Sequence, residues 1–255
     1  MIIWALFDSG NGCYKKVADE MDGVEIYSVG MDIENKNDHF INLDLADYSY
    51  HFTKKNIIFE ELDKLPHPDL IIASPPCESW SVASAMDRGN ACWKQECGDS
   101  LFEPQTPLSR FTVRDSHDYK SSQFNQDKSF VTRVNGELTI FNTIKIIERY
   151  KPKYYVIENP AFGRIWDYIE RVIGFNIPYH NLTYYNNYGF QISKATKFKS
   201  NIDLKLKCER TPNEIKFNQV SGYNTRSNIP APLVEEIFGK VKAKIELEGK
   251  EKQNV

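Results

Sequence analysis

A chain of 255 residues is long enough for one sizeable domain with a small appendage. With 41% hydrophobic and 26% charged residues and a net charge of −3, it reads as an ordinary globular protein whose basic surface, if any, is local. Cys13, Cys77, Cys92, Cys97 and Cys208 are odd in number and irregularly spaced, and no apolar stretch approaches the ~20 residues of a membrane span, which argues against a disulfide framework and a membrane anchor.

Met1-Ile-Ile-Trp-Ala-Leu-Phe7 is a short apolar run that reaches Asp8 without a charged leader, so the expectation is a cytoplasmic protein with reduced thiols. The run ends at Asp8-Ser-Gly-Asn-Gly12, and a helical pattern starts near Cys13 and takes in Val17, Ala18 and Met21. Val24–Val29, β-branched and aromatic, reads as a second strand that ends at Gly30-Met-Asp32. Leu70–Ala73 is a third, followed by Ser74 and two prolines. Residues 81–134 are long and polar with no clear period, and seven basic residues balance seven acidic ones there.

Leu138–Arg149 carries Ile140, Ile144 and Ile147 at helical spacing. Tyr154–Ile157 is another buried-type strand, ending at Glu158-Asn-Pro160, and Ile165–Ile173 is a further helical candidate. Residues 194–216 hold seven Lys/Arg against three Asp/Glu, and from Lys240 the tail reads as a charged helix. Strands alternating with helices predict an α/β fold with a doubly wound, mostly parallel sheet. In such sheets ligands bind beyond the carboxyl ends of the strands. Asp8 to Gly12, Asp32, Ser74 to Cys77 and Glu158-Asn159 all fall at such ends.

Each of these residues also has a plainer reading. Asp8-Ser-Gly-Asn-Gly12 lets a ligand approach backbone N–H groups, or is simply a tight strand-to-helix turn. Asp32 suits ribose hydroxyls or is a solvated turn aspartate, and Asp44 fits a helix or turn cap equally well. A lone cysteine is usually a small buried hydrophobe. Cys77, however, stands behind two prolines that fix its presentation, and Glu158 ends another strand. A thiol beside a carboxyl group can attack a substrate ring and manage its protons. Cys92 and Cys97 have no second ligand pair, and no metal site is expected.

Pro75-Pro-Cys77, Glu158-Asn159 and Leu6-Phe-Asp-Ser-Gly-Asn-Gly12 together resemble the cytosine-5 DNA methyltransferase family, as a small, phage-like member. The motif order matches, and Asn224-Thr-Arg-Ser-Asn-Ile-Pro230 resembles the family's last motif. The resemblance covers most of residues 1–160 and 224–238 and implies a Rossmann-like sheet and S-adenosylmethionine as methyl donor. Phe7, Asp8, Gly10 and Gly12 would cradle the methionine portion, Asp32 the ribose and Asp44 the adenine; Pro75, Asn224 and Ser227 would complete that pocket. Cys77 would be the nucleophile, Glu158 the partner of the ring nitrogen and Asn159 a support for the cysteine loop.

There are departures from the family. Pro160 follows Asn159 where the family usually has valine. In place of its Gln-x-Arg-x-Arg strand stands Gln191-Ile-Ser-Lys-Ala-Thr-Lys197, so Lys194 or Lys197 would meet the substrate, with Ser81. The implied organisation is a catalytic domain of 1–193 and 221–245 with the insertion 81–134, and a minimal nucleic-acid segment at 194–220. Double-stranded DNA is the expected partner, and the oligomeric state is open, a monomer included. Cytosine-5 methylation of RNA or a nucleotide, amino-group methylation, and a non-catalytic DNA-binding relative stay open. So does a role in restriction-modification, protection of a phage genome, or regulation.

Overall fold

Strands buried on both faces need continuous apolar runs, and the first strands of this chain have them. In a computed structural model that describes residues 1–31, 37–81, 92–94, 100, 103–104, 125–213, 215 and 228–253, Ile2–Leu6 forms β1. Cys13–Asp19 forms α1 and Glu25–Gly30 forms β2. Next come β3 (Phe40–Asn42), the short α2 (Tyr50–Thr53), α3 (Ile57–Leu62) and β4 (Leu70–Ala73). A two-residue ribbon pairs β5 (Trp93–Lys94) with β6 (Glu103–Pro104). The long α4 (Gln126–Tyr150) leads into β7 (Tyr154–Pro160). The chain continues through α5 (Ile165–Asp167), a π-helical stretch Tyr168–Ile173, β8 (Leu182–Tyr184), a 3-10 turn Tyr185–Tyr188, β9 (Ala195–Ser200) and α6 (Ala231–Gln253).

Seven strands form one sheet in the order β3-β2-β1-β4-β7-β9-β8. Pairing is parallel from β3 through β7, while β9 runs against both neighbours. The expected α/β architecture with a mostly parallel sheet is therefore present. One face packs Trp4, Leu6, Ile71, Ile157, Ile140 and Ile144 into a core under α3, α4 and α5. The other packs Ile3, Ala5, Ile72, Val156 and Phe198 against α1 and α6. Among the described residues no helix is long and apolar enough to cross a membrane.

Three boundaries differ from the sequence expectation. Helix α4 starts at Gln126, inside the stretch read as an irregular loop, with Asn125 Oδ1 accepting from Lys128 N at 2.9 Å. Its buried face runs through Ser129, Gly136, Thr139, Asn142 and Thr143, which are small or polar and leave no apolar period to read. The segment drawn apart at 194–220 contributes β9 to the main sheet. There Phe198 is core, and Lys199, 2% exposed, pairs with Glu170 and lies over the Trp166 ring. Apolar stems and a paired ammonium make such a lysine tolerable inside. Helix α6 likewise begins before Lys240, because Leu233, Val234, Ile237 and Phe238 are buried.

Asn142 ties α4 to the chain after β3. Its amide donates to Leu45 O at 2.8 Å and to Asp47 O at 3.0 Å, both carbonyls otherwise having no helix or sheet to serve. Replacing Asn142 with Ala is expected to cost about 1–3 kcal/mol by stranding those acceptors. Urea unfolding checks it: the midpoint should fall with the slope unchanged.

Candidate functional site

The strand order reverses between β1 and β4, which lie side by side although β2 and β3 continue outward from β1. The crevice beyond the carboxyl ends of such a pair is where open α/β sheets bind ligands. The loops that follow β1, β4 and β7 meet at this edge.

The loop after β1 is built around Asp8. Phe7 turns the chain in the left-handed region (φ 65°) while its N–H still reaches Val29 O at 2.7 Å, and Gly10 follows at φ 72°. A left-handed bulky residue is rare and costs strain of about 1–3 kcal/mol, so the surroundings must enforce it. The Asp8 carboxylate, 5% exposed, accepts from Ser28 Oγ at 2.6 Å and from the backbone N–H groups of Ser9 and Gly10. Burial still pushes its pKa up. The space beside Gly12 holds the Asp8 carboxylate, which a Cβ on Gly12 would strike. Gly30 is needed similarly, because its Cβ would stand 2.8 Å from Asp8 O. Asp8 is thus an internal brace for the loop whose backbone, Ser9 to Gly12, borders the crevice.

The loop after β4 presents Cys77. Ser74 N extends the pairing to Leu6 O (3.2 Å), and Trp80 N and Ser81 N both donate to Cys77 O, at 3.0 and 2.8 Å. Asn159, fully buried on β7, donates its amide to Pro75 O at 2.8 Å, so the neighbour of Glu158 fixes the Pro-Pro-Cys segment. Beneath the same loop α4 passes at Gly136, where a Cβ would collide with Ser79 Oγ. Ser81 acts here by closing the turn.

Glu158 sits on the α1/α6 side of β7, opposite Asn159, as strand alternation demands. It is 8% exposed and accepts from Tyr185 Oη at 3.3 Å and from the Ser74 hydroxyl. Ser74 Oγ in turn shares a hydrogen with Tyr14 Oη at 2.6 Å. Burial raises the Glu158 pKa, and Lys194, Ser74 and Tyr185 counter it only in part. Both tyrosines are held protonated by burial, so each has a proton to donate. Tyr14, Ser28 and Tyr185 were not singled out in the sequence, where they pass for core or strand residues. Ser74 stood among the polar strand-end residues without a role.

Of the two lysines expected near the substrate, only Lys194 joins this group. Its ammonium lies 4.9 Å from the Tyr185 ring centroid and its charge lowers the pKa of both Glu158 and Cys77. Lys197 is paired in register with Asn159, on the sheet face away from Glu158. Its electrostatic neighbours there are Lys199, Asp167 and Glu170, and burial lowers its pKa.

Cys77 is half-buried rather than open, and its thiol is pushed up to about 11, by burial first and by the Glu158 charge second. Cys13, at the start of α1, is also raised to about 11, by burial first and then by the Asp8 and Glu158 charges. The free site therefore places a thiol near a carboxyl group, the pKa of each raised by burial. Such a pair can supply a nucleophile once a proton leaves and can hold a proton on a substrate atom.

Asp44 is exposed after β3 and accepts from Ala46 N at 2.8 Å, the turn-capping role that its sequence allowed. Asp32, Asn224, Ser227 and Cys97 lie outside the described residues.

Compared with known proteins, the chain matches no family model and no curated sequence. What the site can do must therefore be read from its groups. Replacing Glu158 with Gln removes the nearest negative charge and should move Cys77 alkylation by iodoacetamide to lower pH, read peptide by peptide in a mass spectrometer to separate Cys13. The same substitution tests linkage. A carboxyl whose folded pKa is raised contributes stability that is complete below its ordinary value of 4.5 and is lost as pH rises through the folded value. Thermal unfolding of the Gln variant should accordingly lose less stability than the native chain as pH rises above 4.5.

Proposed function

We propose that this chain is a cytosine-5 methyltransferase acting on DNA with S-adenosylmethionine as methyl donor. The observation that carries the reading is the convergence of Cys77, Glu158 and Lys194 from three separate segments at the edge where the sheet order reverses. The mostly parallel sheet supports a Rossmann-like methyltransferase fold, and the described cysteines are free, which suits a cytoplasmic location.

The residues present fit such a donor. The loops after β1, β2 and β3 leave adjacent strands roughly 4.8 Å apart, so an elongated ligand can lie across them in sequence. The Phe7–Gly12 loop would take the methionine end, with Pro75 alongside. The ribose would fall to Asp32 and the adenine to Asp44, with Asn224 and Ser227 closing the pocket. When bound, the donor supplies an electrophilic methyl group.

Carbon 5 of cytosine is a weak nucleophile, and the chain's own groups change that. Cys77 gives up its proton and its sulfur forms a bond to carbon 6, the electron pair of the 5,6 double bond moving into the ring. Glu158, its pKa raised by burial, hydrogen-bonds ring N3 and can hold a proton there as the adduct forms. Lys194 balances the negative charge that develops between them. Once carbon 5 has bonded to the donated methyl group, loss of its remaining proton to solvent re-forms the 5,6 double bond, and the Cys77 sulfur leaves carbon 6 as a thiolate. Because the target carbon is inaccessible within a duplex, the base must leave the stack, at a cost of roughly a few kcal/mol.

Bisulfite sequencing of plasmid DNA from cells expressing the chain should show methylated cytosines in one sequence context. Cys77→Ser should abolish methylation while leaving donor binding unchanged, and the native chain should be trapped covalently on DNA carrying 5-fluorocytosine. Normal turnover by the serine variant would sink the mechanism, and product only on RNA or free dCMP would reassign the substrate.

A further inference from the structure

Phe162 is 68% exposed, two residues after Pro160 in the turn that directly follows Glu158 and Asn159. A single exposed aromatic is ordinary on a protein surface. This one stands on an unusually well-fixed base. Gly163 N donates to Pro160 O at 3.0 Å and closes the turn, and Trp166 Nε1 donates to the same carbonyl at 2.9 Å. Ala161 N donates to Ala195 O at 3.0 Å, which ties one side of the turn to the residue after Lys194. Arg164 N donates to Trp80 O at 3.0 Å, which ties the other side to the Cys77 turn. Gly163 is packed so closely that an added Cβ would lie 3.3 Å from Pro160 O and 3.5 Å from Trp80 O. Flanking Phe162, Ala161 is 1% exposed and Gly163 is buried, so the turn is sunk in the protein and the aromatic side chain alone is left in water.

A rigid turn that keeps a large apolar ring in solvent gains nothing for folding from that ring. The turn that carries the ring is tied on one side to the residue after Lys194 and on the other to Trp80 of the Cys77 turn. Nucleobases stack on exposed aromatic rings in a way that tolerates any sequence.

We propose that Phe162 is a positioning residue that stacks on the nucleobases bordering the displaced cytosine and holds the opened duplex while the cytosine occupies the site. The proposal rests on the reading of the site as a DNA cytosine methyltransferase. It assigns to the turn after β7 part of the DNA contact otherwise sought in residues 81–134 and 194–220. Stacking on a fixed ring offsets the loss of the base's own stack, and the clamps to Trp80 and Ala195 keep the ring in register with Cys77 and Lys194.

The experiment compares native protein with Phe162→Ala and Phe162→Trp. It measures methyl transfer to a fully paired duplex, to the same duplex with an abasic site opposite the target, and to the single strand. The Ala variant should lose about ten- to a hundredfold in kcat/KM on the paired duplex. It should stay within about threefold of native on the single strand, where no stack has to be broken, and lose less on the abasic duplex. The Trp variant should keep most of the native activity on all three. Because the side chain is exposed, both variants should keep the native unfolding midpoint. Equal losses of the Ala variant on all three substrates would mean a structural role and overturn the proposal. So would native-like activity of that variant on the paired duplex. If the native chain itself methylates none of the three, the underlying reading fails with it, an outcome separate from either of these.

Discussion

A carboxyl group held out of water at the end of a buried strand organises this edge of the protein. Glu158 could not remain there without partners, since an isolated buried carboxylate is far too costly. Its partners come from three other segments: Ser74 beyond β4, Tyr185 beside β8 and Lys194 before β9. Ser74 passes the network on to Tyr14 of α1. The mutual position of these segments is thus set by polar satisfaction as much as by apolar packing. The network counters the rise that burial imposes on the Glu158 pKa without cancelling it.

Strand alternation does a second job at the same place. Successive residues of β7 point to opposite faces, so Glu158 reaches into the polar network while Asn159 turns under the neighbouring loop and holds Pro75. One dipeptide therefore supplies a proton-handling group and the brace for a cysteine 81 positions away in the chain. The brace is reinforced by α4, which lies against Ser79 at Gly136, and by the hydrogen bond that Arg164 N donates to Trp80 O. Cys77 is consequently presented on a turn with little freedom, and its raised pKa reflects the burial that this support entails. Under the proposed mechanism the site is built to keep its thiol protonated until a substrate fills it.

Much of this was legible in the sequence and some was not, for reasons that differ by residue. The first strands announce themselves as apolar runs, because strands covered on both faces have no polar side to show. Cys77 and Glu158 were legible because residues of their types at strand ends are hard to explain otherwise. Helix α4 was half-hidden, since its first turns bury Ser129 and Gly136 rather than leucines. Gly12 has a duty that the sequence did not show: its missing side chain makes room for Asp8. The choice between Lys194 and Lys197 was undecidable from spacing, as only the pairing of β9 with β7 shows that Lys197 faces away from Glu158.

By itself the sequence determined the alternation of strands and helices and the strand-end placement of Asp8, Cys77 and Glu158. Those depend on local periodicity and on short-range backbone chemistry, which neighbouring residues suffice to specify. Only the tertiary structure decided that β9 enters the main sheet, that Asn159 holds Pro75, and that Tyr14, Ser74, Tyr185 and Lys194 gather around Glu158. Each of those contacts joins residues far apart in the chain. A hydroxyl or ammonium group carries no mark of its distant partner until the sheet brings the two together.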